Sequence, residues 1–126
     1  MADAENPAPG FRDRPEHRIT IRPFAGDVTV TANGRTIAAT RKALSLAEHT
    51  YPPVLYIPLA DIDFTALSPT ETSTYCPFKG NASYWSVREG AADAMWAYRQ
   101  PYDEMLAIKD HGAFYPDRVT IEKTEG

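Results

Sequence analysis

The chain has 126 residues, 43% hydrophobic and 24% charged, with 13 Lys+Arg against 17 Asp+Glu for a net charge of -4. That is the length and balance of one globular domain, large enough to bury roughly two thirds of its unfolded surface. The acidic balance argues against a nucleic-acid binder, which needs a basic stripe to neutralise phosphates, and against an anionic membrane surface as partner. No apolar run approaches the ~18 residues that span a bilayer. The acidic start, Met1-Ala2-Asp3-Ala4-Glu5, lacks the apolar stretch of a secretory signal, so a cytoplasmic protein is expected. Cys76 is the one cysteine. It cannot close an intrachain disulfide or build the usual structural zinc site, and no metal or cofactor is expected.

Residues 1–17 read as a flexible tail, or one draped on the body through Phe11. Pro7, Pro9, Gly10 and Pro15 offer little to offset the entropy of ordering. The domain proper is expected over 18–123, with 124–126 fraying. Ile19 and Ile21 share one side of an extended segment, and Val28 and Val30 do the same after Gly26-Asp27. Asn33-Gly34 then separates two β-favouring runs. A type I′ turn needs positive φ at both central residues, so 27–32 and 35–39 are predicted to pair as a hairpin.

Residues 42–49 suit helix by the propensity of Ala, Leu and Glu. Leu44 and Leu46 sit at strand period, which favours extended chain. Pro52-Pro53 breaks the run, and 54–57 is a short strand stopped by Pro58. Residues 59–67 read as a loop with one helical turn. In a strand over 70–76, Thr72, Thr74 and Cys76 face one way and Ser73 and Tyr75 the other. Pro77 and Gly80 bracket a tight turn. The chain returns over 83–88 with Ser83, Trp85 and Val87 on one face. A strand over 93–99 places Trp96 and Tyr98 together, and Pro101 ends it. Met105, Leu106 and Ile108 give part of an apolar stripe, so 102–108 suits a short helix. Segments 112–115 and 118–122 close the chain as strands.

Many short strands with turn residues between them and little helix predict a mainly β single domain, a sandwich, barrel or folded-over antiparallel sheet. All the aromatic residues except Phe11 and Phe24 lie from Tyr51 onward, so the second half supplies most of the large core side chains.

The chemistry concentrates in Thr74-Tyr75-Cys76-Pro77-Phe78-Lys79-Gly80, followed by Tyr84-Trp85. The turn at Pro77 and Gly80 holds Cys76 and Lys79 close, and a neighbouring ammonium favours a thiolate. Cys76 as a catalytic nucleophile would need a base such as His49 or His111; the plainer reading is a small residue packed at a strand end. Lys79 is a ligand for an anion or carbonyl, or else a solvated turn lysine. Glu48 lies in an apolar stretch, where a carboxylate needs a partner, and Lys79 or Arg41 could supply it. Such a pair is a structural ion pair or the polar floor of a ligand site. Asp61-Ile62-Asp63 has a spacing used for divalent metal, but acidic pairs this close arise readily by chance.

This segment resembles the bacterial family filed as domain of unknown function 427, some of whose members carry a nucleotidyltransferase label. The matching residues are Asn33-Gly34, Glu48, Pro52-Pro53, Tyr56-Ile57-Pro58, Asp61, Cys76-Pro77-Phe78-Lys79-Gly80, Ala82, Tyr84-Trp85-Ser86-Val87, Trp96-Ala97-Tyr98 and Phe114-Tyr115. They cover about residues 19 to 122. The resemblance implies a compact all-β fold of folded-over sheets, a β-tent. Relatives of that wider fold hold zinc through paired Cys-x-x-Cys motifs; this chain has neither pair, so a zinc site does not carry over.

Together these observations favour a small-molecule pocket for an anionic or carbonyl metabolite. Tyr56, Tyr84 and Trp85 would be its walls, and Glu48, Thr74, Cys76 and Lys79 its polar groups. The alternatives are a protein-interaction or dimerisation module, since strand edges invite pairing, and a cysteine-dependent enzyme. The chain is expected as a monomer or homodimer.

Overall fold

A computed structural model describes residues 5–125. Residues 1–4 of the expected tail and Gly126 of the expected fraying end lie outside the described residues. In the first hairpin, Asn33 and Gly34 both take positive φ, 54° and 77°. The two-residue turn joins β2 (Gly26–Ala32) to β3 (Arg35–Thr40) with Ala32 opposite Arg35, as the Asn-Gly signal predicts. The register slips between Val30 and Thr31, so Ile37 and Ala38 of β3 are both buried where strict alternation would expose one. A third strand, β10 (Thr120–Glu125), pairs antiparallel with β2. It carries Lys123, Thr124 and Glu125 beyond the strand end expected at residue 122, so Thr124 and Glu125 are paired where fraying was expected.

The second sheet has seven strands. They are β1 (Ile19–Pro23), β4 (Leu44–Glu48), β5 (Val54–Pro58), β6 (Leu67–Cys76), β7 (Gly80–Val87), β8 (Met95–Tyr98) and β9 (His111–Phe114). Their order is β1-β4-β5-β9-β8-β7-β6, every pair antiparallel. Residues 42–49, open between helix and strand from sequence, therefore contain a strand. The 59–67 segment makes two 3-10 turns, Leu59–Asp61 and Phe64–Ala66, instead of one helical turn. The predicted helix at 102–108 is a 3-10 segment, Asp103–Ile108, interrupted at Met105. Among the described residues no helix is long and apolar enough to cross a membrane.

The protein is thus mainly β, two antiparallel sheets folded over one another in the arrangement expected of a β-tent. The central strands of the seven-stranded sheet are covered on both faces and are apolar on both sides, while the edge strands β1 and β6 are largely exposed. One face meets the three-stranded sheet: Val28, Val30 and Ile37 pack with Ile57, Leu67, Trp85, Met95 and Phe114. The other buries Leu46, Tyr56, Ala82, Tyr84 and Tyr98 beneath Met105 and Ile108, with Phe11 of the N-terminal segment packed alongside. This second face is rich in phenols.

Candidate functional site

The polar residues of the second face converge where the two ends of the seven-stranded sheet approach each other. Glu48 ends β4, and Lys79 sits in the turn between β6 and β7. Three strands, β5, β9 and β8, lie between β4 and β7 in the sheet order, which in a flat sheet would be about 20 Å of separation at ~4.8 Å per step. Yet Lys79 Nζ donates to Glu48 Oε1 at 2.5 Å. The sheet is therefore strongly curled, and this ion pair clasps its two ends. The β5–β9 ladder, with two residue pairs, Ile57 with Gly112 and Pro58 with His111, is a short seam in the middle of the curl.

Lys79 is buried, 7% exposed. The Glu48 side chain keeps 20% exposure and spends its second oxygen on His17, whose Nε2–H donates to Oε2 at 2.9 Å. Burial acts to raise the Glu48 pKa. Hydrogen bonds from Lys79 and His17, with the attraction of both charges, outweigh it and hold the carboxyl below its ordinary value.

His17 arrives on the N-terminal segment, which lies across the Cys76–Gly80 turn. Its contacts begin with Asn6 and Asp103, which exchange hydrogen bonds: Asn6 N–H donates to Asp103 Oδ2 at 2.8 Å, and Asp103 N–H donates to Asn6 O at 2.9 Å. Ala8 N–H donates to Glu104 Oε1 at 2.8 Å. A short helix, α1 (Pro9–Asp13), then brings Gly10 N–H to Pro77 O at 2.9 Å. Glycine is required at that approach, since a Cβ on Gly10 would lie 2.7 Å from the Phe78 ring. Phe11 meets Phe78 edge-on at 4.9 Å, and the His17 imidazole stacks on the same Phe78 ring at 4.0 Å and 15°. Phe78 thus orients the histidine that completes the cluster.

Behind the clasp lie the phenols. Tyr56, on β5, accepts a hydrogen bond from Trp96 Nε1 at 3.2 Å. Burial raises its pKa well above the tyrosine norm, only partly offset by that bond. Tyr98 is raised as well, by burial first and then by the neighbouring Tyr56, Cys76, Tyr84 and Glu48. Its hydroxyl has no hydrogen-bond partner among the described residues. Tyr84 shares a 2.8 Å hydrogen bond with Thr74 Oγ1. Tyr115 is pushed up to about 12 by burial and by its hydrogen bond to Tyr84. Tyr56, Tyr98 and Tyr115 therefore stay protonated across the physiological range and present neutral O–H groups.

Of the residues singled out from sequence, Glu48, Tyr56, Thr74, Cys76, Lys79 and Tyr84 share this face. Trp85 does not. It follows Tyr84 in a strand, so its side chain points through to the opposite face, where it packs in the inter-sheet core beside Phe64 at 6.0 Å. Cys76 is half-buried against the phenol-rich core. No hydrogen bond joins it to a histidine among the described residues; His111 engages Lys109 O and His49 stacks near His17. Asp61 takes the Thr40 hydroxyl at 2.6 Å, whereas Asp63 caps Thr65 and pairs with Arg35, so the two carboxylates serve separate local structures. His17 and Tyr98 join this cluster without being among the residues singled out from sequence. His17 lies 31 residues from Glu48 with no local pattern to link them.

The profile of the family described as Domain of unknown function (DUF427) matches residues 20–125. The chain belongs to that family. Among curated proteins none matches it. Within this DUF427 protein, Glu48, Lys79 and the phenols fall inside the matched span, and His17 falls before it.

Proposed function

We propose that the His17–Glu48–Lys79 cluster and the adjoining phenols form a binding site for a small anionic or carbonyl-bearing metabolite. Binding suffices for this reading; turnover is not required. The observation that carries it is the ammonium of Lys79, 7% exposed, paired with the Glu48 carboxylate, which itself neighbours the Tyr56 and Tyr98 phenols. An ion pair taken out of water is weak support for stability, and an apolar contact would clasp the sheet ends with no desolvation penalty. A compact anion could displace the Glu48 carboxylate from Lys79. A carbonyl oxygen could accept from Lys79 or from the Tyr98 hydroxyl, which no described residue engages.

Thermal-shift titration with phosphate, sulfate, pyruvate and glyoxylate tests this. A ligand at about 100 times its Kd adds roughly 2.7 kcal/mol, a shift readily seen in a domain of this size. The gain should vanish in Lys79→Met, measured against that variant's own baseline. A ligand that stabilises Lys79→Met as much as the wild type refutes the assignment.

A further inference from the structure

A concave region lies at the other end of the β6–β7 hairpin, on the order of 20 Å along the strands from Lys79. It is a cavity of about 830 Å³, within the range of small-molecule sites. Its floor is apolar: Ile37, Ala66 and Val87 are all buried. Its rims are the Asn33-Gly34 turn of the three-stranded sheet and the Arg88-Glu89 turn after β7.

Four observations bear on the floor and rims. Arg35 lines the cavity with a guanidinium already fixed, because Nη2 donates to Asp63 Oδ2 at 2.9 Å and Thr65 Oγ1 at 2.8 Å. Its remaining N–H donors are not used by those bonds. Arg88 lines the same cavity and makes no ion pair among the described residues. The Arg88-Glu89 rim is conformationally strained: Glu89 holds φ 58°, a left-handed value that suits few residues other than glycine and asparagine. The β3 irregularity that buries Ile37 and Ala38 together lies in the floor itself. Bulges of this kind recur beside binding sites, where they re-aim a side chain.

From this geometry we infer that the cavity is a binding site for a small organic anion, a carboxylate or phosphate ester whose apolar body rests on Ile37 and Val87. The head group would lie between Arg35 and Arg88, with the Asn33 amide at its edge. Guanidinium forks suit planar or tetrahedral oxyanions through paired N–H donors. Glu89 bounds the site with negative charge, which selects one compact head group over an extended polyanion. This site is independent of the Lys79 cluster.

The test is an amide NMR titration of the full chain with phenyl phosphate and with benzoate, with benzylamine as the cationic control. Saturable shifts at Asn33, Arg88 and Glu89, absent at Lys79, are expected with at least one anion, and the comparison of the two identifies the head group. Arg88→Gln should weaken that binding about tenfold, the loss of one charge-assisted contact, while its dispersed spectrum shows that the fold is intact. Three results would each overturn the inference: no saturable shifts at these amides with either anion at millimolar concentration, equal binding in Arg88→Gln, or equal binding of benzylamine.

Discussion

Replacing Lys79 by methionine keeps the stem and removes the charge, leaving the Glu48 carboxylate with His17 alone. Breaking a fully buried pair on one side costs about 3–5 kcal/mol. Here the Glu48 side chain retains 20% exposure and a second partner, which lowers the expectation to about 2 kcal/mol. Unfolding entropy of ~2.1 cal/mol/K per residue makes that a fall of about 8 °C in Tm. Calorimetry on the wild type, Lys79→Met, Glu48→Gln and the double variant closes a thermodynamic cycle. The double variant should recover most of the loss, giving a coupling of about 2 kcal/mol, because no charge is then left unpaired. A single-variant cost below about 0.5 kcal/mol, or costs that simply add, would refute the clasp as a close pair.

Acid should release the clasp. Glu48 is held below its ordinary value of 4.5, so the stability it contributes is complete above that pH and is lost as pH falls through the depressed folded-state pKa. Urea midpoints followed downward from neutrality should show Glu48→Gln with a shallower acid limb than the wild type; parallel limbs would contradict the pairing. Gly10→Val places a side chain where a Cβ already sits 2.7 Å from the Phe78 ring and 2.9 Å from Pro77 O. Hydrogen–deuterium exchange should rise across residues 5–17 and at Lys79, with β2 unchanged. Exchange that stays the same at Lys79 would mean the N-terminal segment does not cover the site.

Local chemistry was readable where the responsible residues are neighbours. The Asn33-Gly34 turn needs left-handed backbone at two adjacent positions, and few sequences other than Asn-Gly supply it. The polar partners of the second face were also visible one by one, Glu48 as a carboxylate in need of a cation and Lys79 as a cation on a turn. Lys79 and Arg41 were both open as the partner of Glu48, and the choice between them could not be read, because it depends on a curl accumulated over several intervening strands whose order no short pattern encodes; Arg41 pairs with Asp27 instead. Trp85 shows the complementary limit. Placing it beside Tyr84 as a wall assumed that chain neighbours share a surface, whereas a strand sends successive side chains to opposite faces. His17 lacked any marker, since its role comes from Gly10 and Phe11 docking on the turn that bears Phe78.

The position of β10 has a consequence for how the chain acquires its fold. β2 finds β3 across a two-residue turn, but its other neighbour, β10, lies at the far end of the sequence, with Thr120 opposite Thr31. During synthesis the β2–β3 hairpin therefore forms early and carries an open strand edge until the β10 segment, far downstream, emerges. An edge of that kind is a template for wrong pairings. Closing it depends on a long-range contact, the sort that slows folding to milliseconds or longer. Aggregation during expression should accordingly track how soon β10 reaches β2 more closely than the stability of the finished domain.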